Sequence, residues 1–258
     1  MKTKITGTTL PVLEIGLEPG DKIVAEPGEF SWMTRNVQLN TTATAAGAKG
    51  LLGIFGRALS GGGIFMTEYT STGGNALIAF AAQVPGEIMQ LDVSPGNEYM
   101  IHRHGFLCAT EGVNLSMGFQ RSLGAGIFGG NGFILQRLGG TCSAWVELGG
   151  EIVTYDLQAG ETIYAHPGHV GMFQASVNFD ITFMKGIVNA IFGGDGLFLA
   201  QLTGPGKVWL QTLTVPNLAH AIAPYLAGGS NNAPGSVVGG GIAGGIAGSL
   251  LRDMFGGS

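Results

Sequence analysis

The sequence predicts an all-β domain made of three tandem copies of one strand-and-turn unit, followed by a glycine-rich tail. Three observations predict this fold: alternating apolar runs that end in glycine turns, their recurrence at three places in the same order, and no long helical periodicity before residue 216. The 47 glycines fall between apolar runs without a three-residue period, which is typical of many tight turns. We expect one domain over residues 1–225, with copies at about 10–88, 89–152 and 153–218, and a flexible tail over 226–258.

Each copy begins with a strand in which every second residue is apolar and which ends at a turn. The three strands with their turns occupy residues 13–20, 89–96 and 153–160. Alternation places the apolar residues, Leu13, Ile15, Leu17 and their counterparts, on one buried face of the strand. The Pro-Gly or Ala-Gly pair at the end suits a turn whose second central residue has a positive φ.

A second set of landmarks follows in the same order in each copy. An Ile-Phe-Gly segment stands at 54–56, 127–129 and 191–193. Strands follow at 64–69, 133–138 and 197–202, then a glycine turn, then further strands at 76–80, 144–146 and 208–210. One copy alone would leave an apolar face in water, so we expect the three to close into a pseudo-threefold structure.

A short closing helix is predicted at residues 216–222, with Asn217 as its cap, although a strand end would fit the same residues.

The composition limits the classes of partner. Charged residues are only 11% of the chain, which suggests that neighbouring subunits, protein partners or lipid cover much of the surface. We therefore expect a homo-oligomer with protein partners. A formal net charge of −5 with thinly spread basic residues excludes a nucleic-acid partner. The N-terminus lacks the apolar stretch of a secretory signal, so the expected location is cytoplasmic.

The cysteines and histidines offer one chemical motif. Cys108 and Cys142 form neither a zinc pattern nor a disulfide scaffold. His102 and His104, which follow the turn at Gly96, nearly match the first metal-binding motif of cupins, and two imidazoles at this spacing share one strand face. Glu111 is seven residues beyond His104, so alternation directs it to the opposite face unless a bulge intervenes.

The repeat gives these histidines a different interpretation. The sixth residue after the turn glycine is Glu26, His102 or His166 in the three copies, each beside a glycine-containing pair. This position therefore predicts a hairpin turn. A variant hypothesis brings Glu26, His102 and His166 together at the pseudo-threefold axis as metal ligands. The main expectation is that no cofactor is bound, with a metal as the alternative.

The tail changes composition to a glycine-rich linker and an uncharged segment. Gly240, Gly244 and Gly248 recur four apart, a spacing that permits close helix–helix approach in a membrane. Residues 237–251 as a helix would measure about 22 Å, shorter than the roughly 30 Å hydrocarbon core. We expect a flexible tail, with self-association or peripheral membrane contact as alternatives.

Several of these segments resemble a known family. Residues 192–211, 26–33 and the Ile-Phe-Gly segments are similar to the altered-inheritance-of-mitochondria (mitochondrial biogenesis) family, over about residues 10–218. The resemblance implies a fold like that of the tryptophan RNA-binding attenuation protein, related to the double-stranded β-helix, with three structural repeats. It implies no catalytic residues.

The sequence as a whole predicts a non-enzymatic scaffold or interaction protein. Its tail is the segment through which it would associate with a membrane. The alternative is a cupin-like module that binds a metal or a small molecule through His102 and His104, with His166 or Glu111.

Overall fold

The computed structural model describes residues 1–43, 65–121, 133–184 and 197–226. Within these ranges the chain forms nineteen β-strands, a short 3-10 helix at Pro167–His169 and an α-helix, α1, at Val215–Leu226. The prediction of an all-β fold is confirmed. The Ile-Phe-Gly segments and the tail glycines Gly240, Gly244 and Gly248 lie outside the described residues.

The strand β1, Lys2–Thr6, is followed by three consecutive groups of six strands, defined here by position in the chain. The first group contains β2 Val12–Leu17, β3 Lys22–Ala25, β4 Trp32–Met33, β5 Val37–Ala43, β6 Phe65–Ser71 and β7 Ala76–Ala81. The second group contains β8 Gly86–Val93, β9 Tyr99–His102, β10 Phe106–Thr110, β11 Val113–Arg121, β12 Phe133–Gly140 and β13 Cys142–Gly149. The third group contains β14 Ile152–Leu157, β15 Thr162–Ala165, β16 Val170–Gln174, β17 Asn178–Met184, β18 Leu197–Thr203 and β19 Gly206–Gln211.

Within each group the antiparallel pairs follow one scheme. The first and third strands pair with the sixth, and the second and fourth pair with the fifth. Neighbouring groups are joined by the pairs β3–β10 and β9–β16. The resulting sheets have four, six, six and three strands, in the orders β1-β2-β7-β4, β5-β6-β3-β10-β13-β8, β11-β12-β9-β16-β19-β14 and β15-β18-β17.

The predicted glycine turns are present after the first strand of each group. Gly20, Gly96 and Gly160 have φ of 89°, 86° and 81°, values that glycine adopts without steric cost. In each turn the N–H of the residue after the glycine donates to the carbonyl three residues earlier, at 2.8–3.0 Å. The prediction of a positive φ in these turns is confirmed.

The core lies between the strand layers, and the alternation of β2 buries Leu13, Ile15 and Leu17 as predicted. The corresponding prediction for β14 holds only at its end: Leu157 is 4% exposed, whereas Val153 and Tyr155 are 44% and 41% exposed. β14 is an edge strand that pairs only with β19, and the described chain covers this face at Leu157 but not at Val153 and Tyr155.

The closing helix is present, but its predicted cap is wrong. The Thr214 hydroxyl accepts from the backbone N–H of Asn217 at 3.2 Å, and the Thr214 carbonyl accepts from Leu218 N–H. Thr214 is therefore the N-cap, and Asn217 lies in the first turn. Pro216 suits this first turn because it has no N–H to leave unsatisfied. None of the helices in the described ranges is both long and apolar enough to cross a membrane.

Candidate functional site

A pocket of about 420 Å³ lies where the second and third groups of strands meet. It is bounded by the end of β9, the ends of β13 and β19, the start of β12, the loop after β7 and the start of α1. Much of its wall is apolar, and includes Val84, Phe133, Ile134, Val170, Leu213 and Pro216.

Glu147 contributes a buried carboxyl group to this pocket. It belongs to β13, an interior strand in which residues 144–149 are all buried, and it is itself only 5% exposed. Its Oε2 accepts from the backbone N–H of Gln83 at 3.0 Å. Its Oε1 accepts no hydrogen bond, and no basic group of the described residues forms an ion pair with it. Burial raises the pKa of this carboxyl above its ordinary value, against the opposing effect of the Gln83 N–H.

His102 is the neutral partner of Glu147 in the pocket. Its Nε2 lies 3.3 Å from the Glu147 carbonyl oxygen, and because a carbonyl only accepts, Nε2 carries the proton. Burial lowers the pKa of His102 to about 4, with a smaller lowering from His104 and an opposing effect of the Glu147 carbonyl. At neutral pH the imidazole is therefore uncharged, and its Nδ1 is an acceptor.

His104 lines the same pocket from a different local structure than predicted. β9 ends at His102, and the Gly105 N–H donates to the His102 carbonyl at 2.8 Å, so His104 lies in a turn. The expectation that both imidazoles share one strand face is wrong, because the chain reverses before the second of them. Burial and then the neighbouring Arg103 lower the pKa of His104.

The predicted turn at the sixth residue after each turn glycine is present in all three groups. The carbonyls of Glu26, His102 and His166 each accept from the N–H three residues later, at 3.3, 2.8 and 2.9 Å. Glu26 also accepts from Gln136 Nε2 at 2.5 Å, and His166 Nδ1 accepts from Gly168 N–H at 3.3 Å. Burial raises the pKa of Glu26, and burial and then His169 lower the pKa of His166.

The predicted metal ligands do not come together as a set. His102 and His104 line the pocket, whereas Glu26 and His166 are not part of its wall. Glu111 lies in the turn after β10 and forms an ion pair with Lys22 at 3.2 Å. In the portions of the chain that the structure describes, no group of three His, Cys, Asp or Glu side chains has an arrangement that would hold a metal ion.

A second carboxyl is connected to Glu147 through one residue. Gln83 donates from its side-chain Nε2 to Glu29 Oε2 at 2.8 Å and from its backbone N–H to Glu147. The pKa of Glu29 is raised to about 7, mainly by burial and also by the nearby carboxyls of Glu147 and Glu26, against the lowering effect of the Gln83 hydrogen bond. Gln83 therefore connects a carboxyl that lines the pocket to one that lies outside its wall.

Gln211 is the counterpart of Glu147 on the other side of the pocket. It is 7% exposed, its Oε1 accepts from Gly149 N–H at 2.9 Å, and its Nε2 donates to the Gly168 carbonyl at 3.1 Å. Our sequence analysis missed Glu147, Gln83 and Gln211. A usable signal was present for two of them, because Glu147 and Gln211 are polar residues at matching distances from the turn glycines, in strands that otherwise bury apolar side chains.

The pocket thus combines an apolar wall with a small number of polar groups at fixed positions, an arrangement typical of small-molecule sites. A buried carboxyl without a counter-ion and a neutral imidazole can accept hydrogen bonds from a donor or a cation.

Comparison with known proteins agrees with this fold. The chain is 30% identical over 227 residues to "Uncharacterized protein M6_Spy0233" of Streptococcus pyogenes serotype M6, an alignment that covers 86% of this chain and 89% of that protein. The crystal structure of protein SPYM3_0169 from Streptococcus pyogenes is similar, with a TM-score of 0.69 and 25% identity over 87% of this chain and 99% of that one. The profile of the mitochondrial biogenesis family AIM24 matches residues 3–213. The chain therefore belongs to the AIM24 mitochondrial biogenesis family.

Proposed function

We propose that the three groups of strands are tandem structural repeats in a pseudo-threefold arrangement like that of the tryptophan RNA-binding attenuation protein. The shared pairing scheme, the matching φ of Gly20, Gly96 and Gly160, and the three later turns support this. A crystal structure tests it: residues 12–81, 86–149 and 152–211 should superpose by rotations of about 120°. Groups that do not superpose would contradict it.

We further propose that the protein is a non-enzymatic interaction protein that associates with copies of itself. One observation carries the proposal. The repeat scheme pairs β3 with β10 and β9 with β16, whereas β15 and β4, the matching strands, form no pair with each other in the described structure. Both strands therefore present unpaired backbone groups at a sheet edge, where another strand can add.

The side chains at these edges are unusually exposed for their positions. Trp32 of β4 is 46% exposed, whereas the residues at its position in the other groups, Cys108 and Met172, are both 0% exposed. Tyr164 of β15 is 55% exposed, whereas its counterpart Val24 is 8% exposed. Large aromatic side chains at an open edge are typical of residues that a partner covers.

The partner that fits this edge is a second copy of the chain. In both formed junctions, the strand equivalent to β15 pairs with the strand equivalent to β4 of the next group. A second copy carries such a β4 strand, so the β15 edge of one copy could pair with the β4 edge of another in the way that the equivalent strands pair within the chain. The low proportion of charged residues also favours a partly covered surface.

The oligomeric state of the full chain tests this proposal. Light scattering after size-exclusion chromatography should show an oligomer for the wild type and a smaller species for Tyr164→Lys, because an edge charge opposes strand addition. The matched control is Tyr155→Lys, an exposed tyrosine on β14 that the proposal does not use. A monomeric wild type, or an equal effect of both substitutions, would contradict the proposal.

A second candidate function is a small-molecule binding module. The observation that favours it is the pocket of about 420 Å³, an apolar concavity with Glu147 and His102 in its wall. Calorimetric titration of the full chain with small probes of different charge tests whether the protein is such a module.

A further inference from the structure

We infer that this pocket binds an organic ammonium group attached to an apolar body, with Glu147 as the counter-ion of the ammonium. The inference deepens the second candidate function and rests on it. It names the charge of the ligand and the residue that selects it.

The Glu147 carboxyl can accept more hydrogen bonds than the described residues donate to it. One oxygen accepts from Gln83 N–H, and the other accepts no hydrogen bond from the described residues, although the side chain is 5% exposed and lines the pocket. This second oxygen is not among the fully buried unpartnered atoms of the described residues, so it keeps some exposure and can accept from a donor of opposite charge that enters the pocket. An ammonium group supplies both a positive charge and the missing N–H.

No basic side chain of the described residues acts as the counter-ion of the Glu147 carboxylate. Arg103 is the one arginine or lysine that lines the pocket in the described structure, and its charge acts on Glu26 and His104. It forms no ion pair with Glu147 among the described residues. The neighbouring acids Glu29 and Glu26 make the surroundings more negative, which favours a cation over an anion.

His102, which contacts the Glu147 backbone carbonyl, contributes an uncharged imidazole to this pocket. Because His102 gives its Nε2 proton to the Glu147 carbonyl, its Nδ1 is an acceptor, and the ring is uncharged at neutral pH. A protonated imidazole here would repel an ammonium ligand. The neutral tautomer does not.

The apolar body of the ligand matches the size and the apolar wall of the pocket. The volume of about 420 Å³ is within the usual range for small-molecule pockets, which begins at about 300 Å³. The pocket wall also includes Phe133, Val170 and Leu213, which offer contact to an alkyl or aromatic group rather than to a polar one. An ammonium ion without an apolar group would leave this apolar wall in contact with water.

Three probes of equal chain length separate these contributions. We would measure binding of n-hexylammonium, 1-hexanol and hexanoate to the full chain by titration calorimetry at pH 7.5. Hexylammonium should bind more tightly than hexanol, and hexanoate should bind least. The variant Glu147→Gln should weaken hexylammonium binding at least tenfold and leave hexanol binding unchanged. Glu147→Asp, which keeps the charge, should retain the preference for ammonium.

The control is Glu111→Gln, a carboxyl outside the pocket wall that forms an ion pair with Lys22, which should leave all three affinities unchanged. Circular dichroism verifies that each variant is folded, and Gln is tolerated at the matching position 211. If hexanol binds to the wild type as tightly as hexylammonium, or if Glu147→Gln binds hexylammonium as tightly as the wild type does, the inference is wrong but the binding module stands. If none of the probes binds, both are wrong.

Discussion

Glu147 and Gln211 perform the same structural task at two places in the domain. Each lies at or near the end of the last strand of its group, and each side chain accepts a backbone N–H near the junction with the preceding group. Glu147 accepts from Gln83, between β7 and β8, at 3.0 Å, and Gln211 accepts from Gly149, the last residue of β13, at 2.9 Å. The difference between them is the charge. The Gln211 side chain accepts from Gly149 N–H and also donates to the Gly168 carbonyl. The Glu147 side chain accepts from Gln83 N–H through one oxygen, and its other oxygen accepts no hydrogen bond from the described residues.

This relationship predicts how substitutions at position 147 affect stability. Glu147→Gln should unfold at the wild-type urea midpoint or above it at pH 8, because the amide keeps the acceptor for Gln83 and removes the burial of a charge. Glu147→Ala should lose about 1–3 kcal/mol, since it leaves the Gln83 N–H without a partner. Urea denaturation followed by tryptophan fluorescence measures both. Equal losses in the two variants would show that the acceptor is unimportant.

Glu29 should make the fold less stable as pH rises. Its folded pKa of about 7 exceeds the ordinary value of 4.5, so the folded state binds more protons between these values and stability falls as pH rises through this window. Glu29→Gln should therefore match the wild type at pH 4.5 and exceed it by roughly 1–3 kcal/mol at pH 8. Urea denaturation at both pH values provides the comparison.

His102 acts in the opposite direction, so the difference between variant and wild type must be compared rather than either curve alone. Its folded pKa of about 4 is below the ordinary 6.5, and its contribution is lost as pH falls through that window. Because His102 is present in both proteins, its effect cancels in the difference. A difference for Glu29→Gln that does not change with pH would contradict the assignment.

Gly105 should tolerate no side chain because the His102 ring packs against it. A Cβ at this position would lie 2.9 Å from His102 Cδ2 and 3.0 Å from Nε2. Gly105→Ala should therefore displace the imidazole from the Glu147 carbonyl and cost about 1–3 kcal/mol. The matched control is Gly74→Ala, where nothing lies within 4 Å. A shift of the His102 resonances in the NMR spectrum of Gly105→Ala alone would support this contact.

The three turn glycines should respond alike to substitution. No atom lies within 4 Å of a Cβ built at Gly20, Gly96 or Gly160, so alanine meets no clash and the cost comes from the positive φ alone. Each change to alanine should cost about 1 kcal/mol, measured by urea denaturation. Costs that differ several-fold would indicate that the turns are not equivalent.

Local features of this protein were predictable because they depend on neighbours in the chain. The positive φ of Gly20, Gly96 and Gly160 follows from their place after alternating strands, and the turns at Glu26, His102 and His166 follow from their constant distance from those glycines. Such turns need only a few consecutive residues, and the sequence contains all of them. The all-β class follows from the same periodicity.

The tertiary structure alone decided which faces are covered and which distant groups meet. Val153 and Tyr155 continue the predicted alternation yet are exposed, whereas Leu157 on the same face is buried, because the described core covers only the end of β14. His102 and Glu147 are 45 residues apart in the chain and meet only because β13 lies next to β10, which follows the His102 turn. Burial and contact depend on how strands stack in three dimensions, and one strand's periodicity does not specify what lies above it.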